Sequence, residues 1–164
     1  MEANTKTGLK NETVLTRRRL LGTAVIAIAA GAAGWQLFRE PAVYNGNSLT
    51  VSQAHRKAVA GEIILVDIRR PDEWRRTGVG EGANPIDMRR DDFVQALTQV
   101  AGTDKDAPIA LICARGVRSA RLSNRLTEAG YTNIIDVPEG MLGSRAGPGW
   151  LGENLPTRTY EQGA

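Results

Sequence analysis

Pro108-Ile109-Ala110-Leu111-Ile112, followed at once by Cys113-Ala114-Arg115-Gly116-Val117-Arg118-Ser119, decides how the rest of the chain folds. The first five residues form an unbroken apolar run, short enough for a strand buried on both faces of a parallel sheet. A helical pattern runs from about Ser119 to Ala129. It puts Leu122, Leu126 and Ala129 on the core side and Arg118, Arg121 and Arg125 outside, with Gly130 as its stop. Strand, loop and helix in that order place a cysteine at the carboxyl edge of a sheet, where open α/β folds bind ligands.

Outward from this unit, apolar bursts alternate with amphipathic stretches at short intervals, the pattern of an α/β domain with a small, mainly parallel sheet and helices on both faces. Upstream, a helix capped by Ser52 and ending at Gly61 precedes a strand over Ile63-Ile64-Leu65-Val66, and Pro71 opens a short helix to Arg76. A short strand is expected over Asn84 to Met88. It is followed by a helix over Asp91 to Ala101, capped by Asp91 or its neighbour, with Phe93, Leu97 and Val100 on one face. Downstream, Asn133 to Val137 reads as the last strand and Glu139 to Gly143 as a short final helix.

The chain has 164 residues, 41% hydrophobic and 24% charged, which is one domain's worth of ordinary globular composition. Residues 1 to 40 carry six Lys/Arg against three Asp/Glu, and the remainder fifteen against fifteen. The folded part is therefore neutral, which argues against a nucleic-acid partner. The excess of positive charge belongs to the start of the chain. There Thr16-Arg17-Arg18-Arg19-Leu20-Leu21 opens an uncharged, Ala- and Gly-rich run to Phe38 and resembles a twin-arginine export signal.

The run from Leu20 to Phe38 has 19 residues, close to the roughly 20 that span a bilayer. Both a cleaved signal, with a site such as Ala30-Gly31-Ala32, and a retained anchor ending at Trp35 and Phe38 fit it. Either way the positive charges hold the N-terminus in the cytoplasm, and the rest lies on the periplasmic side of a bacterial inner membrane. The export machinery is then a partner, and residues 20–38 contact the membrane. Residues 1–38 are thus signal or anchor, 39–48 a linker, 49–158 the domain and 159–164 a tail.

Cys113 is the only cysteine and His55 the only histidine, so an internal disulfide and a structural zinc site built from them are both excluded. No metal and no cofactor is expected. A tight loop at a helix start, with Gly116 available for positive φ, turns several backbone N–H groups toward one point. Those amides, the helix dipole and the guanidinium groups of Arg115 and Arg118 favour thiolate over thiol and make Cys113 a nucleophile. A lone cysteine also serves as a small buried hydrophobe, and that alternative stays open.

The segment from Cys113 to Ser119 resembles the C-x-x-G-x-R-S loop of the rhodanese family. Leu65-Val66-Asp67-Ile68-Arg69-Arg70-Pro71-Asp72-Glu73-Trp74 resembles its upstream D-x-R-x-x-x-E-[YW] signature, and Val137-Pro138-Glu139-Gly140-Met141 with Gly149-Trp150 its ending. The resemblance covers residues 47 to 158. It implies a sulfurtransferase in which Cys113 takes sulfur from a small-molecule donor such as thiosulfate, holds it as a persulfide and passes it to a thiol or cyanide-like acceptor. It also implies that Ala114, Arg115, Gly116, Val117, Arg118 and Ser119 bind the anion.

Asp67 and Arg69 are expected to pair in support of the strand end, Trp74 and Trp150 to anchor the core, and His55 to face solvent. Two departures stand out. Thr77-Gly78-Val79-Gly80-Glu81-Gly82-Ala83 lacks the histidine common in a G-H-I-x-G-A segment, and Glu139-Gly140 replaces a frequent Gly-Gly pair. In the related cysteine phosphatases and arsenate reductases the arginine comes six positions after the cysteine, whereas here it comes at five, which favours sulfur. A non-catalytic, membrane-tethered sulfur carrier or interaction module on the same scaffold is the remaining alternative.

Overall fold

The computed structural model describes residues 43–161. The segment read as a signal or anchor, residues 1–38, lies outside them. No helix among the described residues is long and apolar enough to cross a membrane.

In chain order the elements are β1 (Asn47–Ser48), α1 (Val51–Val59), β2 (Ile64–Asp67), α2 (Pro71–Thr77), β3 (Val79–Gly80) and β4 (Ala83–Pro85), then α3 (Phe93–Ala101), β5 (Ile109–Ile112), α4 (Val117–Glu128), β6 (Ile134–Val137), α5 (Gly149–Gly152) and β7 (Thr157–Arg158). Five strands form a wholly parallel sheet in the order β1-β6-β5-β2-β4, and β3 pairs antiparallel with β7 apart from it. β5 is central, so both of its faces must be covered, which is why its sequence is apolar throughout. Ala110 and Ile112 pack with Val51 and Ala54 of α1, Trp74 of α2 and Trp150 of α5. Ile109, Leu111 and Cys113 pack on the other face with Phe93, Ala96 and Leu97 of α3 and with Leu122 and Leu126 of α4. The α/β class and the two-faced coverage agree with the sequence reading.

Several local readings are corrected. The cap of α1 is Thr50, whose Oγ1 accepts from the Gln53 amide at 3.2 Å while Gln53 Oε1 accepts from the Thr50 amide at 3.0 Å. Ser52 instead donates to Glu153. α3 starts at Phe93 without a side-chain cap, because Arg90 occupies the Asp92 carboxylate at 2.7 and 2.8 Å. Ala96, not the exposed Val100, completes its inner face. Ala129 is exposed at the end of α4.

Glu139 to Gly143 forms turns, and the short final helix comes later as α5. The linker expected over 39–48 ends sooner, since β1 joins the sheet edge and Tyr44 Oη donates to the Ile134 carbonyl at 2.9 Å. Tyr160, expected in the tail, packs on Trp74 with ring centroids 4.9 Å apart. His55 does not face solvent: its Nε2 meets Glu81 at 2.8 Å and its ring stands edge-on to Trp150. Trp74 and Trp150 are core anchors as expected.

Asp67 and Arg69 pair as expected, and their setting explains how α2 is aimed. Both side chains are buried, with Nη2 to Oδ2 at 2.6 Å and Nε to Oδ1 at 2.9 Å. The same guanidinium donates to Thr77 Oγ1 at 2.7 Å and to the Gly78 carbonyl at 2.8 Å, which ties the end of β2 to the end of α2. A buried ion pair broken on one side leaves an uncompensated charge. Asp67→Ala is expected to cost about 3–5 kcal/mol, read as a lower urea midpoint, and a loss under 1 kcal/mol contradicts the role given to this pair.

Candidate functional site

Cys113 follows β5 immediately, and its loop runs from Ala114 to Gly116 before α4 begins at Val117. The loop can turn this tightly because Gly116 adopts φ +82°. A side chain there is excluded on contact grounds as well, since a Cβ would lie 2.2 Å from the Pro138 carbonyl oxygen. The turn after β6 lies directly against the loop. Met141 N–H donates to the Cys113 carbonyl at 2.8 Å and Leu142 N–H to the Ala114 carbonyl at 2.9 Å. Gly140, at φ +70°, brings the two backbones so close that a Cβ would meet Ala114 at 2.6 Å.

With the loop carbonyls engaged, its amides remain. The N–H groups of Ala114, Arg115 and Gly116 have no acceptor among the described residues. They precede the positive end of the 12-residue α4 and follow Cys113 directly in the chain. Cys113 itself is 1% exposed, and its Sγ lies 3.7 Å from Ser119 Oγ. Ser119 is buried and donates to the Gly116 carbonyl at 2.9 Å, so its hydroxyl closes the loop from within.

Helical spacing puts Arg118 on the outer side of α4, and here the structure differs. Its guanidinium is half-buried and makes a two-pronged bond to Glu73 of α2, with Nη1 to Oε2 at 2.8 Å and Nη2 to Oε1 at 2.6 Å. Glu73 also accepts from the Arg70 amide at 3.1 Å. Burial pushes the Glu73 carboxyl upward, but the bonds from Arg118 and the Arg70 amide outweigh it and bring its pKa down to about 2. Arg118 is held above its ordinary value, first by Glu73 and further by the Cys113 sulfur nearby.

Arg70, Arg89 and Arg90 are each paired with an aspartate two residues away. Arg115 is exposed and enters no ion pair among the described residues. It is the loop's free cation. A cleft of about 230 Å³ lined by Arg69, Glu73, Arg76, Thr77 and Leu142 opens beside the Glu73–Arg118 pair. Val117 and Leu142, at 42% and 44% exposure, are apolar neighbours of the loop.

Three residues near the loop were not singled out as site residues by sequence. Glu73 stood inside the quoted upstream signature, but nothing local shows that its partner lies 45 positions away. Glu139 is buried and accepts from the Val51 and Gly149 amides, both at 3.2 Å, so this departure from Gly-Gly serves packing at two helix starts. Asp136 is a buried acid in the otherwise apolar β6, and that interruption of the run was its only signal. The segment without histidine is also structural. Val79 is fully buried, and a Cβ on Gly80 would meet the Trp150 ring at 2.8 Å.

The low Glu73 value sets an acid limit on stability. A carboxyl at 4.5 when unfolded and about 2 when folded contributes stability that is complete above 4.5 and lost as pH falls through about 2. The difference is worth about 3 kcal/mol. Glu73→Gln should therefore flatten the fall in stability between pH 4.5 and 2, measured by urea unfolding at fixed pH. A slope equal to wild type contradicts the assignment.

Comparison with known proteins agrees with this geometry. The family model for the rhodanese-like domain matches residues 50–145. An uncharacterized protein of Rickettsia rickettsii is 30% identical over 99 residues, 57% of this chain and 80% of that protein. The tRNA sulfurtransferase of Shewanella loihica is 36% identical over 77 residues, 47% of this chain but 16% of that enzyme. Among solved structures, the polysulfide-sulfur transferase homodimer of Wolinella succinogenes aligns with TM-score 0.54 and 25% identity, covering 70% of this chain and 79% of that one. A loop of the C-x-x-G-x-R-S type at the carboxyl end of a central parallel strand, within a matched span of 96 residues, assigns the chain to the rhodanese-like family.

Proposed function

We propose that Cys113 carries sulfane sulfur as a persulfide between a donor such as thiosulfate and a thiophilic acceptor. The observation that carries this reading is the set of unaccepted amides at Ala114, Arg115 and Gly116 beside the only thiol. In the first step the Cys113 thiolate attacks the outer sulfur of thiosulfate. A new S–S bond forms, the old one breaks, and sulfite leaves with its electron pair. In the second step cyanide or an acceptor thiolate attacks the outer persulfide sulfur, and Cys113 leaves as thiolate.

The loop amides hold the anionic sulfur through both steps. Arg118, oriented by Glu73, and Arg115 at the rim offset the charge of the incoming donor. Asp67 and Arg69 support the site by fixing α2 and hence Glu73.

Near-complete burial of Cys113 is the observation favouring the second reading, a carrier or interaction module that does not turn over. Intact mass after thiosulfate and again after cyanide separates the two. Wild type is expected to gain one sulfur and lose it to cyanide. Cys113→Ser should gain none, and Arg118→Ala should load about 10–100-fold more slowly, as for the loss of one charged donor at an anion site. Absence of any sulfur adduct with every donor tried leaves only the scaffold reading.

We also propose that residues 1–38 direct the domain to the periplasmic side of the inner membrane through the twin-arginine machinery, on the strength of Arg17, Arg18 and the uncharged run after them. Replacing Arg17 and Arg18 by Lys should retain the protein in the cytoplasmic fraction. Unchanged delivery refutes the signal. Release of the wild-type domain by osmotic shock identifies cleavage, and retention until detergent is added identifies an anchor.

A further inference from the structure

The cleft of about 230 Å³ beside the Glu73–Arg118 pair has no part in the transfer steps written above. Two of its lining residues are bonded to the cysteine loop or to the helix that follows it. Leu142 has its backbone fixed to the loop by the 2.9 Å bond from its N–H to the Ala114 carbonyl. Glu73 holds Arg118 at 2.6 and 2.8 Å. Spacing along α2 puts Glu73, Arg76 and Thr77 on one face of that helix, and Arg69 completes the lining.

What a ligand can meet there follows from which groups are already engaged. Arg69 spends its donors on Asp67, Thr77 and the Gly78 carbonyl. Thr77 accepts from Arg69 at 2.7 Å and gives its hydrogen to the Glu73 carbonyl at 3.0 Å. Both Glu73 carboxylate oxygens are taken by Arg118. Arg76 is different. Its ion pair with Asp72 measures 3.5 Å, beyond the roughly 2.7–3.2 Å of an ordinary N–H···O bond. That carboxylate is already held by Arg70 at 3.0 and 3.1 Å. With its side chain 68% exposed, Arg76 keeps most of its donors for an incoming group.

Leu142 is the apolar member of the lining and is 44% exposed. A cation with spare donors beside an apolar side chain selects a molecule with an anionic head and an apolar body. The volume, below the roughly 300–1,000 Å³ of sites that hold drug-sized ligands, keeps that molecule small. Thiosulfate has no apolar body and cyanide has neither part. A thiol acceptor that carries a carboxylate has both.

We propose that this cleft is the acceptor subsite, with Arg76 as the specificity-determining residue that selects small organic thiols bearing a carboxylate. The carboxylate accepts a two-pronged bond from the Arg76 guanidinium, and the carbon chain lies along Leu142. The acceptor thiolate attacks the outer sulfur of the Cys113 persulfide. A new S–S bond forms as the old one breaks, Cys113 leaves with the electron pair as thiolate, and the acceptor departs as a persulfide. The inference rests on the transferase reading above.

The experiment uses the full chain in mild detergent. Cys113 is loaded from thiosulfate, and its discharge by 3-mercaptopropionate, 2-mercaptoethanol or cyanide is followed by intact mass. Arg76→Gln should slow discharge at low 3-mercaptopropionate about fivefold, the upper end for a pair this exposed, and leave the limiting rate at saturation unchanged. Discharge by 2-mercaptoethanol and by cyanide should stay at the wild-type rate, and Arg76→Lys should restore most of the loss. Arg76→Glu should reverse the preference and favour cysteamine over 3-mercaptopropionate. An equal fall with all three acceptors, or a matching fall in thiosulfate loading, gives Arg76 only a general effect of charge and overturns the proposal. So does an Arg76→Glu protein that keeps the wild-type order of acceptors.

Binding alone is read on Cys113→Ser, which takes up no sulfur. There 3-mercaptopropionate should shift the NMR signals of the Leu142 methyl groups and the Arg76 side chain, and 2-mercaptoethanol should not. Those shifts in a protein whose wild type loads no sulfur from any donor overturn the transferase reading and leave the carboxylate site standing. Sulfur transfer without those shifts overturns the carboxylate site and leaves the transferase reading standing.

Discussion

The close approach of two backbones, the loop after β5 and the turn after β6, is the constraint on which the site depends. Two hydrogen bonds, from Met141 and Leu142 to the carbonyls of Cys113 and Ala114, fix that contact. Gly116 and Gly140 permit it, because a Cβ at either would lie within 2.6 Å of backbone on the other segment. With the Cys113 and Ala114 carbonyls taken up by the β6 turn, the amides of Ala114, Arg115 and Gly116 are left without acceptors among the described residues. That set of unaccepted donors is thus a by-product of how the loop is held, and the sheet order that makes β6 the neighbour of β5 is what holds it.

Charge is managed differently at each depth. Asp67 and Arg69 are buried and answer one another completely, with spare donors spent on Thr77 and Gly78. Glu73 and Arg118 sit at the margin, buried enough for the pair to matter, with the guanidinium near the Cys113 sulfur. Farther out, Arg70, Arg89 and Arg90 meet aspartates two residues away, pairs in water that contribute little to stability. Asp136 breaks the series, since it is buried and no cation answers it.

The sequence by itself determined the α/β class, the strand ending at Cys113, the loop with Gly116, the helix after it and the pairing of Asp67 with Arg69. These follow from short-range physics: an apolar run too short for a helix, a glycine where the chain turns sharply, and two opposite charges two residues apart. Tertiary structure alone decided the partner of Arg118, the support given by Glu139 and the burial of Asp136. Each joins residues on different elements, so it depends on strand order and register, which the chain's local periodicity leaves open. Arg118 shows the difference most directly. By helical spacing it belongs on the solvent side with Arg121 and Arg125, yet α2, aimed by the Asp67–Arg69 pair, brings Glu73 to that side and converts a surface charge into part of the site.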